Sequence, residues 1–394
     1  MRVPTDLSPK WIVRRAAKVA AAGVLLAAGA HRALRAIREH QAGGARVLLL
    51  SYHRATLDFS ESAREGLPSM LVSATTLRRQ LEQLGRTWEI VSMSEAARVL
   101  AEGARGPRRA FAAVTFDDGY SDNHAVALPV LAALHVPATV YIATAFTGTA
   151  ERLPHDRLFA TLRELARRGV APERAGLEAP LQAVLGACAA RTPATTLDRL
   201  IARVSHPVLL AIAAALEART GISPADLPTG LRLLDWDEVR ELSAAGIDIG
   251  GHSASHAVLP NLPLAEARKE IEGCRDAIAE RLGRPPRHFA YPNGVHCPAI
   301  RRAVARSGFE TGSTTEDREN LRGCDLFALR RKVLWESSTL GPLGYSAALA
   351  TCTFEGVFSA LRLSRAVRGD RPDAAEAGAA AEAAGIPAEQ RAAS

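Results

Sequence analysis

Ala113-Val114-Thr115-Phe116-Asp117-Asp118-Gly119-Tyr120 is the stretch whose reading decides the fold. An apolar run stops abruptly at two adjacent carboxylates and a glycine, the pattern of a buried strand closed by a turn. α/β proteins place their chemistry at the C-terminal ends of such strands, so both acids stand at the mouth of a sheet or barrel. Neighbouring carboxylates raise each other's pKa unless a cation takes one of them. A metal would bind one Asp and leave the other as a base. The competing reading is a strand ending in an Asp-Gly turn, and this stretch alone favours neither.

The sequence on either side alternates strand and helix signals. Val47–Tyr52 reads as a first strand and delivers His53 and Arg54 at its end. Thr75–Leu84 has helical periodicity behind Ser73 or Thr75, and Ser94 reads as the cap of a second helix running to about Ala104. After the Asp pair come a helix over about Asn123–Leu134 and a β-rich run, Ala138–Ile142. From about Glu151 to Gly230 this rhythm breaks into short Ala-, Leu- and Arg-rich helices without a strand. His155, Asp156 and His206 in that region read as surface or capping residues. The alternation resumes with a helix opened by Asp235-Trp236-Asp237 and a strand, Ile247–Gly251. A long helix (Leu264–Leu282), a strand-like His288–Tyr291, a helix (Ala299–Arg306) and a strand (Phe309–Thr314) follow. This order predicts parallel strands joined by crossover helices.

The 394 residues carry a formal net charge of +7 and only 5% aromatic residues. Scattered arginine without interleaved aromatics suits anionic surfaces or polymers, and no nucleic-acid-binding signature is present. The five cysteines, 188, 274, 297, 324 and 352, are odd in number and hold no Cys-x-x-Cys. They imply neither a disulfide framework nor a cysteine-bound zinc. At the N-terminus Arg14, Arg15 and Lys18 precede the apolar run Val19–Ala30, too short to span a bilayer. It reads as a signal-peptide core ending at Ala28-Gly29-Ala30, or as a basic helix on a membrane surface continued by Arg32, Arg35 and Arg38. Both imply membrane contact of some kind.

His252 and His256 are the only histidines four residues apart. On a helical turn that spacing aims both rings at one cation. The pair follows a strand directly, as the Asp pair does, so a parallel barrel brings both to one rim. Two imidazoles and a carboxylate leave coordination positions open for water and substrate, which suits a catalytic centre.

These residues resemble the polysaccharide deacetylases of carbohydrate esterase family 4. Thr115–Gly119 is similar to the family's first motif and His252–His256 to its second, and the likeness runs from about Arg46 to Leu340 apart from the insertion. It implies a distorted (β/α) TIM-like barrel of about seven strands with a helical insertion over about 151–230. Residues 1–45 would be a separate N-terminal segment, and 341–394 a C-terminal helix with a low-complexity tail, disordered or weakly helical from Ser364. It further implies a hydrolase that removes N-acetyl groups from a polysaccharide or cell-envelope glycan. Asp117 would be the base, and Asp118, His252 and His256 the ligands of Zn2+ or another divalent ion such as Co2+, Mn2+, Fe2+ or Ni2+.

Two family motifs are altered. Where Arg-x-Pro-Tyr-Gly is usual, Ala290 takes the Arg position and Asn293 the Tyr position. The Asn293 backbone N–H remains as an oxyanion donor, and Arg330 or Arg331 is left to orient Asp117. The general-acid histidine near the C-terminus is missing, since none follows His296. His53 fills that role, because the poly-N-acetylglucosamine deacetylase-like subset carries its acid in an upstream Tyr-His segment. Tyr52, Arg54, Tyr120, Tyr291, Pro292 and Arg330 are the candidates for contact with the sugar. The altered motifs also admit a non-catalytic glycan-binding scaffold, and the same metal site suits an O-acetyl esterase or a lipid-linked sugar deformylase. The implied location is the cell envelope, exported or membrane-associated, with the cytoplasmic face left open.

Overall fold

The computed structural model describes residues 9–41, 45–105 and 110–366. Its centre is a set of seven parallel strands: β1 (Arg46–Tyr52), β2 (Ala110–Phe116), β3 (Ala138–Ile142), β4 (Asp248–Gly251), β5 (His288–Ala290), β6 (Thr311–Ser313) and β7 (Arg331–Val333). β1 to β6 pair in sequence order, and β7 returns to the free side of β1. A bridge from Ser313 to Leu329 joins β6 to the approach to β7. The sheet thereby curls into a distorted (β/α) barrel with all seven C-terminal ends on one rim.

Burial on both faces explains why β1 and β2 read as nearly continuous apolar runs. Leu48, Leu50, Val114 and Phe116 pack outward against Leu77 and Leu81 of the helix Ala74–Gly85 and Leu131 of Leu128–Ala133. Val47, Leu49, Phe111 and Ala113 pack on the other face, against Met93, Val99 and Leu100. Because strand side chains alternate with period two, Ser51, Thr115 and Asp117 continue that second face upward to the rim. The helix Met93–Glu102 is capped by Ser92, not Ser94: Ser92 accepts from the Glu95 N–H, while the Ser94 hydroxyl meets His288. Ser73 is the cap of the helix before it.

Two helices precede the barrel, α1 (Pro9–Ala27) and α2 (Ala30–Gln41). After β3, ahead of the helix Trp236–Ala244 that leads into β4, an insertion carries four more, α3 (Pro154–Arg167), α4 (Ala179–Cys188), α5 (Pro193–Arg203) and α6 (His206–Thr220). These four enclose an apolar core of their own around Leu158, Leu162, Leu197, Leu200, Ile212 and Leu216. Two helices end the described chain, α7 (Ala347–Phe354) and α8 (Val357–Ala366). The tail expected from Ser364 lies almost wholly outside the described residues.

α1 packs on α7 and α8 through Ala22, Cys352 and Val357. A charged network reinforces the contact: Arg35 pairs with Glu355, and Arg38 pairs with Glu319. Arg46, fully buried at the foot of β1, reaches Glu319 at 3.2 Å and Glu355 at 3.0 Å while its guanidinium lies over Trp88. Among the described residues no helix is long and apolar enough to cross a membrane.

Candidate active site

The end of β2 turns sharply. Asp117 N–H donates to the Tyr52 carbonyl at 2.9 Å, and Asp118 then adopts φ 74° and Gly119 φ 77°. A Cβ on Gly119 would come within 2.9 Å of the Ile142 side chain, so this tight crossing beside β3 requires glycine. Five non-glycine residues among those described have positive φ, and four of them, Asp118, Ser253, His256 and Asn293, belong to the rim loops that follow β2, β4 and β5. Backbone strain persists where surrounding structure enforces it, and here it collects around one group of side chains.

Asp118, His252 and His256 come together, each buried, with ligand atoms all within 4.8 Å of one another. His252 Nε2 and His256 Nε2 stand 3.3 and 3.1 Å from the same oxygen, Asp118 Oδ1. His252 Nδ1 lies 2.8 Å from the Ala290 carbonyl, which fixes the proton there and aims the Nε2 lone pair inward. The histidines are not on a helical turn. They lie in a loop that follows β4, turned by the left-handed Ser253 and His256 and tied by Ser255 to Glu270.

Asp117 sits on the other side of the turn with a different partner. Burial pushes its pKa upward, but the Arg331 guanidinium, with His252 and His53, reverses that, and the net direction is down. Arg331 holds it bidentately at 2.6 and 2.8 Å, and Ser51 Oγ donates to it at 3.1 Å. Arg331 also donates to the Thr314 carbonyl and the Thr115 hydroxyl. Its register beside Leu49 puts it on the inner face of the sheet. Arg330, one residue out of phase, turns to Glu316 on the opposite side and not to the site. Burial likewise acts to raise Asp118, and the two histidine contacts outweigh it, leaving Asp118 well below the usual carboxylate range.

His53 emerges at the end of β1, close enough for its charge to lower both Asp117 and Asp118. Its carbonyl accepts from Asn123 Nδ2, and its Nδ1 is buried without a hydrogen-bond partner. Asn293 occupies the turn after β5 with φ 56° and lines the same cavity as His256.

The remaining sugar-facing candidates are turned into the protein interior. Tyr52 is fully buried, stacks on Phe116 and donates to Gln80. Arg54 is buried against Asp122 and lies over the Tyr120 ring. Tyr120 is buried and donates to Asp156 at 2.8 Å, while Tyr291 donates to the Phe327 carbonyl and Pro292 is buried in its turn. Each ring has its polar tip satisfied inside the protein, which is how buried tyrosines are normally accommodated.

His155 was not visible as a site residue. The first turn of α3 carries it into the rim, its ring centroid 5.3 Å from that of His256 and its Nε2 4.0 Å from Asp118 Oδ2. It contacts Tyr120 Oη at 2.9 Å. Burial pushes it down to about 4, so it is a neutral imidazole, and burial pushes the adjacent Asp156 up to about 7. A small cavity opens beside these rings, where His155, His206 and Leu209 from the four-helix insertion face His256, Val258 and Asn293. The insertion therefore roofs the histidine side of the rim.

The donor set fits a divalent cation. Asp118 Oδ2 is buried and has no hydrogen-bond partner, and the histidine contacts already converge on the other oxygen of the same carboxylate. Two imidazoles and one carboxylate with a side left open is a catalytic arrangement.

The family profile described as polysaccharide deacetylase matches residues 104–178 and 194–312. No curated protein matches the chain by sequence. Among solved structures, IcaB from Ammonifex degensii is 18% identical, with a TM-score of 0.50 over 79% of this chain and 98% of that one. The Streptococcus pyogenes deacetylase PplD in complex with acetate is 16% identical, with a TM-score of 0.49 over 76% of this chain and 96% of that one. The likeness to IcaB is one of fold.

Proposed function

The chain belongs to the polysaccharide deacetylase family, and from that premise we propose that it is a metal-dependent hydrolase removing N-acetyl groups from a glycan. Asp118, His252 and His256 would hold the divalent cation, zinc or another transition metal. When bound, such an ion supplies Lewis acidity toward an acyl oxygen and an acidified water. The observation that carries the proposal is the division of labour between the two adjacent carboxylates. Asp118 faces both imidazoles, whereas Asp117 is held by Arg331 and Ser51.

Asp117 is the base. The guanidinium keeps its carboxylate ionised, and therefore able to accept the proton of the attacking water, and fixes its orientation. The Asn293 backbone N–H, displayed by its left-handed turn, donates to the oxyanion that develops as the carbonyl is attacked. His53 gives a proton to the departing nitrogen, because an amide anion is too poor a leaving group. That requirement favours N-acetyl over O-acetyl groups, since an alkoxide leaves without so strong a need for an acid. His155, Tyr120 and Asp156 form the wall behind His256 and hold it in place.

The test is acetate release from N-acetylglucosamine oligomers and from an O-acetyl ester, with metal content measured on the same protein. Release from the amide by metal-loaded protein supports the proposal. Metal-loaded protein that releases acetate from no N-acetylated glycan refutes it.

A further inference from the structure

α1 packs inward by one side only, and the side it leaves exposed is apolar. Ile12, Val13, Ala17, Ala20, Ala21 and Val24 lie on it, with Val13 66% and Val24 68% exposed. From Ile12 to Ala27 the stripe is about 22 Å long at the helical rise per residue. Solvent-facing helices ordinarily carry the reverse pattern, with polar residues outward. The hairpin Leu340–Tyr345 packs on the same helix, where a Cβ on Gly341 would touch Val19, and it holds up Leu343 at 96% exposure. α2 adds an exposed Ile37.

Charge identifies the occupant. Between residues 9 and 41 the ionised groups are Lys10, Arg14, Arg15, Lys18, Arg32, Arg35 and Arg38 against a single acid, Glu39. Arg35 and Arg38 are spent inward on Glu355 and Glu319, while Arg14, at the edge of the stripe, and Arg32 are exposed. A second copy would set two such basic faces against each other. Residues 367–394 offer only Val367 and Ile386 as large apolar side chains, too few to cover the stripe. An apolar strip bordered by cations matches a bilayer with anionic headgroups.

We propose that α1, with the Leu343 hairpin beside it, lies on an anionic membrane surface, its apolar side in the headgroup–acyl boundary. The proposal stands apart from the catalytic reading and uses none of its residues.

The full chain is sedimented with phosphatidylcholine vesicles and with mixed phosphatidylcholine–phosphatidylglycerol vesicles. The expected result is binding to the mixed vesicles that Val13→Asp/Val24→Asp weakens by about tenfold or more, as placing charge in an apolar contact requires. Leu343→Asp should weaken it further, and Arg14→Glu/Arg32→Glu should act only on the anionic vesicles. Circular dichroism and thermal unfolding of each variant should match the parent, since all these positions are exposed. A parent chain that stays in the supernatant, or Val13→Asp/Val24→Asp binding like the parent, overturns the proposal. So does a parent dimer in light scattering that Val13→Asp/Val24→Asp dissociates, because the face would then be a contact between copies.

Discussion

Replacing Arg331 by Met tests the electrostatic frame of the site. The guanidinium and the Asp117 carboxylate are 0% and 3% exposed and meet through two bonds of 2.6 and 2.8 Å. With Met at 331, Asp117 keeps the Ser51 hydroxyl and loses both charged donors. With Asn at 117, Arg331 keeps the Thr314 carbonyl and the Thr115 hydroxyl but loses the carboxylate it pairs with. Each single change leaves an unpaired buried charge and should lower unfolding stability by about 3–5 kcal/mol. Removing both charges is often close to neutral, so Arg331→Met/Asp117→Asn should be more stable than either single variant. The assay is urea unfolding of the parent, both singles and the double, with chelator present so that metal linkage does not enter. A double variant whose loss equals the sum of the single losses within about 0.5 kcal/mol would refute the reasoning, since uncoupled residues behave that way.

Asp118→Ala and His256→Ala should each lose bound metal and acetate release together, whereas Asp117→Asn should keep the metal and lose turnover; elemental analysis beside the activity assay separates them. His53→Ala should keep its metal and slow the reaction by about 10²–10⁴-fold, and an unchanged rate would remove His53 from the proton transfer. His155→Ala should weaken metal affinity by about 10–100-fold through loss of the wall behind His256, measured by competition with a chelating dye. Asp156→Asn should raise the thermal midpoint at pH 8. Asp156 has a folded pKa of about 7, above its ordinary 3.8, so its charged form opposes folding above pH 7. That penalty fades as pH falls from 7 toward 4, and the gap between variant and parent should close over the same range.

The parts of this molecule that were legible in the sequence are those where a strand delivers its own chemistry. Asp117, Asp118, His252 and His256 each follow a strand within a few residues, so their position relative to one another depends only on the strands being parallel. Arg330 and Arg331 could not be told apart, because choosing between them takes the side-chain parity of β7, which depends on its register against β1. His155 was hidden for another reason. It belongs to an insertion whose helices build a separate core, and nothing local records that their first turn enters the rim. Tyr52, Tyr120, Tyr291 and Arg54 have the chemistry of sugar contacts, yet each is satisfied by a partner far along the chain: Gln80, Asp156, Phe327 and Asp122. Burial of that kind is a property of the whole fold.

The charged network at the foot of β1 bears on how far the site can reach. Arg35 and Arg38 on α2 and Arg46 on β1 share the two carboxylates Glu319 and Glu355, so the N-terminal helices are fastened to the barrel at its base. A body seated on a surface through α1 would have no slack between seat and rim. Its working height would be set by the fold, and it would address acetyl groups within a thin layer, unlike an enzyme swinging on a flexible leash. Lengthening the Ala28-Gly29 joint between α1 and α2 would alter that height without touching a residue of the rim.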